Sequence, residues 1–369
     1  MSRNTANERT PHVLLAGGGS GGHIFPALAL ATELVSRGWR VSFAGTPASM
    51  ESRLVPEHGI EFHALAARAV LGKGALDKAL ALATLVRSSL AARRLVREID
   101  ATVVVGTGGY ASAPAVLGGR LARRPVLLFE PNAHAGKANR FLSRFASAGA
   151  VGFAAAAPEL RCPTVVTGVP VRPEFFAVPE DLPGAPAPAL LVLGGSQGAR
   201  SLNRELPRAI AALAPTVPGL RVMHQAGAKN VDETQALYDA LGVTPETVTV
   251  VAFLDRVAQS MADSDLVISR AGAITLAEIC AASRPALLLP LGVAAGHQVD
   301  NAGMLEQAGA ARVLTPEQAS AAGIEAALAE LLSNRAALAR MARAARAAAQ
   351  PGAVVTLADR VQALAKEAA

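Results

Sequence analysis

The sequence predicts an α/β protein made of two doubly wound, parallel-sheet domains of one architecture. Three observations lead to this. Short β runs alternate with helical segments along the whole chain, the signature of consecutive βαβ units. The alternation breaks once, between Gly168 and Pro188, where six prolines (Pro170, Pro173, Pro179, Pro183, Pro186 and Pro188) read as a linker or hinge. It then restarts, and each half opens with a strand that runs into a glycine-rich turn. At 369 residues, 51% of them hydrophobic, the chain is long enough to fill two ordinary cores.

Strand candidates in the first half are His12–Ala16, Arg40–Ala44, Ile60–Ala64, Thr102–Val105, Val126–Phe129 and Thr164–Thr167. In the second half they are Ala189–Leu193, Arg221–His224, Val248–Ala252, Leu266–Ile268 and Ala286–Leu289. Helical segments fall between them, including an amphipathic stretch from Ile24 to Arg37 and a helix from Arg200. The tail from Pro316 to Ala369 is Ala-rich helix, broken near Pro351-Gly352. Open sheets of this kind bind ligands beyond the carboxyl ends of their strands. Two such domains facing each other would make a cleft with a glycine loop on each side.

The first turn, Gly17-Gly18-Gly19-Ser20-Gly21-Gly22-His23, follows the apolar run His12–Ala16 and opens a helix. Glycines let a backbone approach an anion, and a helix N-terminus offers free N–H groups and partial positive charge. Gly17, Gly19 and Gly22 also satisfy the dinucleotide spacing G-x-G-x-x-G. That reading needs a carboxylate at the end of the second strand to hold a ribose. Arg40–Ala44 instead ends in Gly45-Thr46-Pro47, which argues against a dehydrogenase. Two further glycine elements follow strands: Gly106-Thr107-Gly108-Gly109-Tyr110 and Gly194-Gly195-Ser196-Gln197-Gly198. Any one alone is more often a tight turn than a phosphate site. Three at equivalent strand ends, two in one domain and one in the other, suit two phosphorylated ligands.

Other polar groups gather at the same strand ends. Ser269–Glu278 follows a strand and begins a helix near Ala273, whose amides can face a phosphate. Glu278 sits about one turn in, placed either to accept from ribose hydroxyls or to complement the helix dipole. Gly296-His297-Gln298-Val299-Asp300-Asn301 supplies sugar-binding side chain types or simply a polar helix start. Glu130-Pro131-Asn132-Ala133-His134 adds a carboxylate, an amide and an imidazole. His23 is the best general-base candidate by type, since imidazole titrates near neutral pH; packing the turn is its structural alternative. No cluster has metal-ligand spacing, and neither a G-x-S-x-G elbow nor a P-loop lysine occurs, which weakens hydrolase and kinase readings.

Composition narrows the setting. Cys162 and Cys280 are far apart and suggest a reducing compartment without a disulfide framework. The polar start and short first apolar run predict no signal peptide, and no apolar run reaches the ~18 to 20 residues of a spanning helix. A soluble or peripheral cytoplasmic protein is expected. The formal charge of +6 is concentrated: Arg68, Lys73, Lys78, Arg87, Arg93, Arg94 and Arg97 face only Asp77 within Arg68–Arg97. Val70, Leu71, Leu76, Leu80, Leu82, Leu85, Val86, Leu90 and Leu95 interleave with them. Such a segment is either a core helix with a solvated basic face or a surface for anionic membrane. It lacks the aromatic platforms of a nucleic-acid site.

Taken in order, Gly18–His23 with Pro26, Gly106–Tyr110 with Ser112 and Pro114, Glu130-Pro131-Asn132, Gly168-Val169-Pro170-Val171-Arg172, Gly194–Ala199 and Arg270–Glu278 resemble the MurG family of bacterial N-acetylglucosaminyltransferases. The resemblance spans nearly the whole chain. It implies a GT-B glycosyltransferase, with two Rossmann-like domains across a cleft and no cofactor or metal. It would transfer GlcNAc from UDP-GlcNAc to the MurNAc 4-hydroxyl of undecaprenyl-pyrophosphoryl-MurNAc-pentapeptide (lipid I), inverting to a β(1→4) bond and giving lipid II for peptidoglycan.

By motif match, Ser196 and the helix start Ala273, Ile274, Thr275, Leu276 and Ala277 would hold the donor diphosphate, Leu254 the uracil through its backbone, and Glu278 the ribose. Gln298 and Asn301 would contact GlcNAc, and Arg172 would reach the nucleotide. Ser20, Gly21, Gly22 and Asn132 would complete the site, while Gly108, Gly109 and Tyr110 would receive the acceptor diphosphate. His23 is the candidate base, with Glu130 acting through water as the fallback. The expected division is an acceptor and membrane-associating domain at 10–170, with helix 352–369 packed back on it, a linker at 171–188, and a donor domain at 189–350. The setting implied is the cytoplasmic face of the cell membrane, with Arg68–Arg97 on the lipid and other cell-wall synthesis proteins as partners. The chain departs from many relatives at Val169 (Asn), at Pro131 (Gln) and at Ala294-Ala295-Gly296, where a polar run is replaced. Two other functions share the donor motifs: a transferase to another acceptor, such as a diacylglycerol, and a nucleotide-sugar-binding subunit without turnover.

Overall fold

A computed structural model describes residues 10–68, 74–184, 187–195, 198–291 and 297–367. The chain divides into two compact units: Met1–Pro170 together with Gly352–Ala369, and Val171–Pro351.

Unit 1 is a seven-stranded sheet. Its strands are β1 (His12–Ala16), β2 (Arg40–Gly45), β3 (Glu61–Ala64), β4 (Val103–Gly106), β5 (Val126–Glu130), β6 (Ala148–Val151) and β7 (Thr164–Val166), in the spatial order β3-β2-β1-β4-β5-β6-β7. Every pairing is parallel. Its helices are α1 (Gly21–Ser36), α2 (Met50–Glu57), α3 (Ala75–Glu98), α4 (Ala113–Leu121) and α5 (Lys137–Leu142). Parallel strands need crossover helices, which cover both sheet faces, so the strands must be apolar on both sides. The burial obeys this with period two. Val13, Leu15, Val103, Val105, Leu127 and Phe129 join one core, while Leu14, Ala16, Val104, Val126 and Leu128 join another with Ala92, Val96, Ala115 and Val116 of α3 and α4.

Unit 2 repeats the plan with six strands: β8 (Ala189–Leu193), β9 (Arg221–Gln225), β10 (Val248–Val251), β11 (Leu266–Ser269), β12 (Ala286–Leu288) and β13 (Ala311–Val313), all parallel, in the order β10-β9-β8-β11-β12-β13. Its helices are α6 (Pro173–Phe176), α7 (Arg200–Leu213), α8 (Val231–Ala240), α9 (Val257–Ala262), α10 (Ala273–Ala281), α11 (His297–Gln307), α12 (Ala321–Leu332) and α13 (Arg335–Ala348). Each sheet reverses direction of winding beside its first strand, so each has a switch point at the carboxyl ends of β1/β4 and β8/β11, where ligand loops belong.

Three details differ from the sequence expectation, and a fourth concerns a segment that carried two readings. Strands β6 and β13 were not expected. Ala-Gly-Ala-Val and Ala-Arg-Val carry little β propensity of their own, and their pairing with β5 and β12 makes them strands. Helix α1 begins at Gly21 rather than Ile24, which puts His23 in its first turn. Part of the proline-rich stretch is packed rather than free: Val171, Phe175 and Val178 are buried in a core of unit 2. In α3 the small residues Ala81, Ser88, Ser89, Ala92 and Val96 face inward, while Leu80, Leu82, Val86 and Leu90 are exposed.

The last helix, α14 (Ala353–Glu367), returns to unit 1. Leu357, Ala358, Val361 and Leu364 enter the core beside Ile24, Leu28 and Ala31 of α1. Arg37, at the end of α1, donates to Asp359 (2.5 Å) and Gln362 (2.8 Å). Among the described residues, no helix is long and apolar enough to cross a membrane. Leu357 is fully buried, so Leu357→Ala removes about 2–5 kcal/mol from unit 1, read as a lower urea midpoint at unchanged slope.

Candidate functional site

In unit 1 three loops meet at the carboxyl edge. The Gly17–Ser20 turn leaves β1 and enters α1 through Ser20, an extended N-cap residue whose side chain makes no capping bond. Thr107, just past β4, secures this junction: its N–H donates to Ala16 O (2.8 Å) and its hydroxyl to His23 O (2.7 Å). The His23 ring packs against the second glycine element. Its Nδ1 lies 2.9 Å from the Thr107 carbonyl, which can only accept, so Nδ1 carries the proton and Nε2 is the basic nitrogen of the neutral ring. Gly108 and Gly109 have positive φ, and a Cβ on Gly108 would lie 2.7 Å from His23 Nδ1 and 3.4 Å from Asn139 Nδ2. Tyr110, half-exposed, lies over Gly19.

The third loop follows β5. Glu130 is buried, and four donors fill its carboxylate: the Asn132 N–H (3.0 Å) and Nδ2 (2.9 Å) on Oε1, and the Gly136 N–H (2.9 Å) and Asn139 Nδ2 (3.0 Å) on Oε2. This geometry shapes the Asn132 loop from beneath. Glu159 grips the same loop through Ala135 N–H (3.2 Å) and His134.

Glu51 escaped the sequence reading. From the first turn of α2 it reaches back under the Gly17–Gly19 turn, where its Oε2 accepts from Gly19 N–H (3.3 Å). The stretch Gly45-Thr46-Pro47 after β2 has no acid of its own, and the carboxylate that arrives there belongs to the next helix.

Unit 2 builds its edge differently. The Gly194–Gly198 turn has positive φ at Gly195 and Gly198, and Gly194 N–H donates to Gln225 O (3.1 Å). Ser196 lies outside the described residues. Helix α10 starts directly after β11 with Gly272 as a cap that has no side chain, so the amides of Ala273, Ile274 and Thr275 have no acceptor within the helix. Leu276 differs from its neighbours: its N–H donates to Gly272 O (3.0 Å) and its side chain is buried in the core. Ala277 packs against that core.

Glu278 is nearly buried and meets the Arg172 guanidinium at 3.4 Å. Arg172 also reaches Glu174 (3.1 Å) and lies 4.9 Å over the Phe175 ring. Burial pushes the Glu278 pKa up to about 7, and Arg172 opposes the rise without cancelling it. Near the same edge, Leu254 packs its side chain toward the core between exposed Phe253 and Asp255.

Two residues expected on the sugar also make contacts within the protein. Buried Asn301 donates to the Ala271 carbonyl (3.1 Å), bracing the loop that leads into α10. Gln298 Oε1 accepts from Leu291 N–H (3.1 Å). Arg270 joins three loops by donating to Leu289 O (2.6 Å), Pro290 O (3.4 Å) and the Ser201 hydroxyl at the start of α7. Beneath the glycine turn, fully buried His224 lies between Asn203 Oδ1 (3.1 Å from Nε2) and the Tyr238 hydroxyl (3.0 Å from Nδ1). Asn203 Nδ2 in turn donates to Ala226 O (2.9 Å), the carbonyl that a Cβ on Gly198 would strike. Among the described residues no group of three His, Cys, Asp or Glu side chains could hold a metal ion.

Two doubly wound parallel sheets, each with a switch point at its carboxyl edge, are the architecture of the GT-B class of glycosyltransferases, and the family comparisons place the chain in that class. Residues 13–151 match the model of the glycosyltransferase family 28 N-terminal domain, and residues 189–357 that of its C-terminal domain. Two curated relatives carry the name UDP-N-acetylglucosamine–N-acetylmuramyl-(pentapeptide) pyrophosphoryl-undecaprenol N-acetylglucosamine transferase. The one from Pseudomonas syringae pv. tomato is 40% identical over 94% of this chain and 96% of its own; the one from Ectopseudomonas mendocina is 41% identical over 94% and 97%. The crystal structure of Acinetobacter baumannii MurG superposes with a TM-score of 0.76 at 33% identity, covering 96% of this chain and 99% of that one. The chain belongs to glycosyltransferase family 28 and, within it, to the MurG family.

The buried imidazole makes unit 2 acid-sensitive. Burial lowers the His224 pKa from 6.5 to about 4, so between these values the unfolded chain binds a proton that the folded chain refuses. The stabilisation is complete above pH 6.5 and shrinks by about 3 kcal/mol as pH falls to 4. Urea titrations of unit 2 across this range should show that slope, and His224→Asn should remove it.

Proposed function

We propose that this protein transfers GlcNAc from UDP-GlcNAc to the MurNAc 4-hydroxyl of lipid I, with inversion, giving lipid II for peptidoglycan synthesis. The observation that carries this is identity of about 40% running through both units to transferases named for that donor and acceptor.

The donor belongs to unit 2. The amides of Ala273, Ile274 and Thr275, with the α10 dipole behind them, receive the UDP diphosphate together with Ser196. Glu278 accepts from the ribose hydroxyls, Arg172 balances its charge and reaches the nucleotide, and the Leu254 backbone meets the uracil. Gln298 contacts GlcNAc, and Asn301 supports the same loop through the Ala271 carbonyl. The acceptor belongs to unit 1, where Ser20, Gly21, Gly22 and Asn132 face the sugars and Gly108–Tyr110 the acceptor diphosphate. His23 Nε2 takes the proton of the 4-hydroxyl as that oxygen attacks the GlcNAc anomeric carbon. The bond to the UDP oxygen breaks on the opposite face. Negative charge grows on the departing diphosphate, and preorganised amides stabilise it at the moment it appears. Glu130 acts by shaping the Asn132 loop, since its oxygens are already filled by four donors.

Lipid I presents its headgroup at the cytoplasmic leaflet, so unit 1 must work against a membrane. Helix α3 suits that surface: Leu80, Leu82, Val86 and Leu90 are exposed beside exposed Arg87 and Arg94. Leucines enter the acyl boundary while arginines meet anionic headgroups.

Supplying UDP-GlcNAc with a lipid I analogue should release UDP and form the disaccharide, with His23→Ala losing turnover far more than donor affinity. Tight donor binding without UDP release would sink this function. A further outcome follows from Glu278. Ribose hydroxyls donate to the ionised carboxylate, and its pKa is about 7 before ligand arrives. UDP-GlcNAc should therefore bind roughly three- to tenfold more weakly at pH 6 than at pH 8. Calorimetry on Glu278→Gln should show weaker binding with this pH dependence flattened.

A further inference from the structure

Glu51 is absent from every motif the transfer draws on, yet it is fully buried directly behind the Gly17–Gly19 turn. Its Oε1 accepts from the Thr46 N–H (3.1 Å) and the Thr46 hydroxyl (2.6 Å), while Oε2 takes Gly19 N–H (3.3 Å). The carboxylate occupies the space that a Cβ on Gly18 would need, and its Cγ lies 2.6 Å from where a Cβ on Gly45 would stand. The helix that carries it is fixed by a reciprocal capping box between Ser49 and Ser52.

A buried carboxylate is a costly way to fill space, since burial alone disfavours its charge. Desolvation would raise the Glu51 pKa; the Thr46 hydroxyl and the other donors outweigh it and hold the carboxyl below its ordinary range. The side chain is therefore an ionised acceptor whose donors come from the ends of two strands, Thr46 after β2 and Gly19 after β1. An apolar residue of equal volume could pack there but could not orient the Gly19 peptide. Two residues further on, Gly21, Gly22 and His23 form the first turn of α1, so the Gly18–Gly19 peptides set where that turn begins.

We propose that Glu51 is a positioning residue for the acceptor: it holds Gly19 from behind so that Ser20–His23 present their backbone and imidazole to the incoming sugar. This rests on the assignment of the acceptor to unit 1. The side chain touches no substrate and acts only through the turn. A misplacement of an ångström at a reacting group is enough to cost large factors in rate.

The test uses the full chain with Glu51→Ala, Glu51→Gln and Thr46→Val. Donor and acceptor are varied separately in steady-state assays, and UDP-GlcNAc affinity and thermal melting are measured alongside. Glu51→Ala should lower kcat/KM for a lipid I analogue roughly 10- to 100-fold while the UDP-GlcNAc Kd stays unchanged. Glu51→Gln, which keeps one acceptor oxygen, should recover part of the loss. Thr46→Val, which removes one donor and leaves the carboxylate, should lose about threefold in the same parameter. Wild-type acceptor kinetics in Glu51→Ala overturn the proposal. So does an equal loss in donor and acceptor parameters that follows the melting temperature, which would make Glu51 a stabilising residue only. Should Glu51→Ala fail to fold, Thr46→Val decides, and unchanged acceptor kinetics there overturn the proposal. Weakened donor binding with intact acceptor kinetics overturns the acceptor assignment itself, whereas failure of Glu51 alone leaves that assignment standing.

Discussion

Where a parallel strand ends, its backbone leaves the hydrogen-bonded ladder, and the loops that follow must find acceptors elsewhere. In unit 1 two buried carboxylates supply them. Glu51 takes the Gly19 and Thr46 amides, and Glu130 takes those of Asn132 and Gly136. A carboxylate can receive several donors at once, so one side chain fixes a whole turn. Carbonyl oxygens do the reverse for His23, whose ring is oriented and assigned its tautomer by the Thr107 backbone. The loops therefore owe their shapes to groups behind them.

Unit 2 solves the same problem with neutral and cationic groups. Arg270 donates to carbonyls at the end of β12 and to Ser201 on α7, Asn301 holds the Ala271 carbonyl, and the Asn203–His224–Tyr238 chain reaches the Ala226 carbonyl under the glycine turn. In unit 2 the supports near the proposed UDP diphosphate are cationic and dipolar, which favours an anion there. Glu278 is the exception, and its pairing with Arg172 shows how the charge is contained.

Much of the fold was legible in the residues. Strands buried on both faces appear as continuous apolar runs, so His12–Ala16 and Ala189–Leu193 could be read to the residue. Strands β6 and β13 could not, because short Ala- and Gly-containing segments become strands only when a neighbour offers them a ladder. The leucines of α3 show a similar limit. A basic segment interleaved with leucines has two readings, and which residues face inward depends on α4. Gly118 of α4 comes so close to Ala92 that only small residues fit on that side of α3, and Leu80, Leu82, Val86 and Leu90 are left outside.

The sequence by itself determined the two-sheet architecture, the positions of the glycine turns, the start of α10 and the family to which the chain belongs. These are local properties: apolar runs, φ-permissive glycines and ordered motifs lie within short stretches of chain. Only the tertiary structure decided which polar side chains hold the loops. Asn301, Glu130 and Leu276 turned inward, Glu51 emerged as a support, and His23 received its tautomer from a carbonyl 84 residues away. Hydrogen-bond partners brought together by crossover connections are not encoded in any window of sequence, so their roles become visible only when the sheet is assembled.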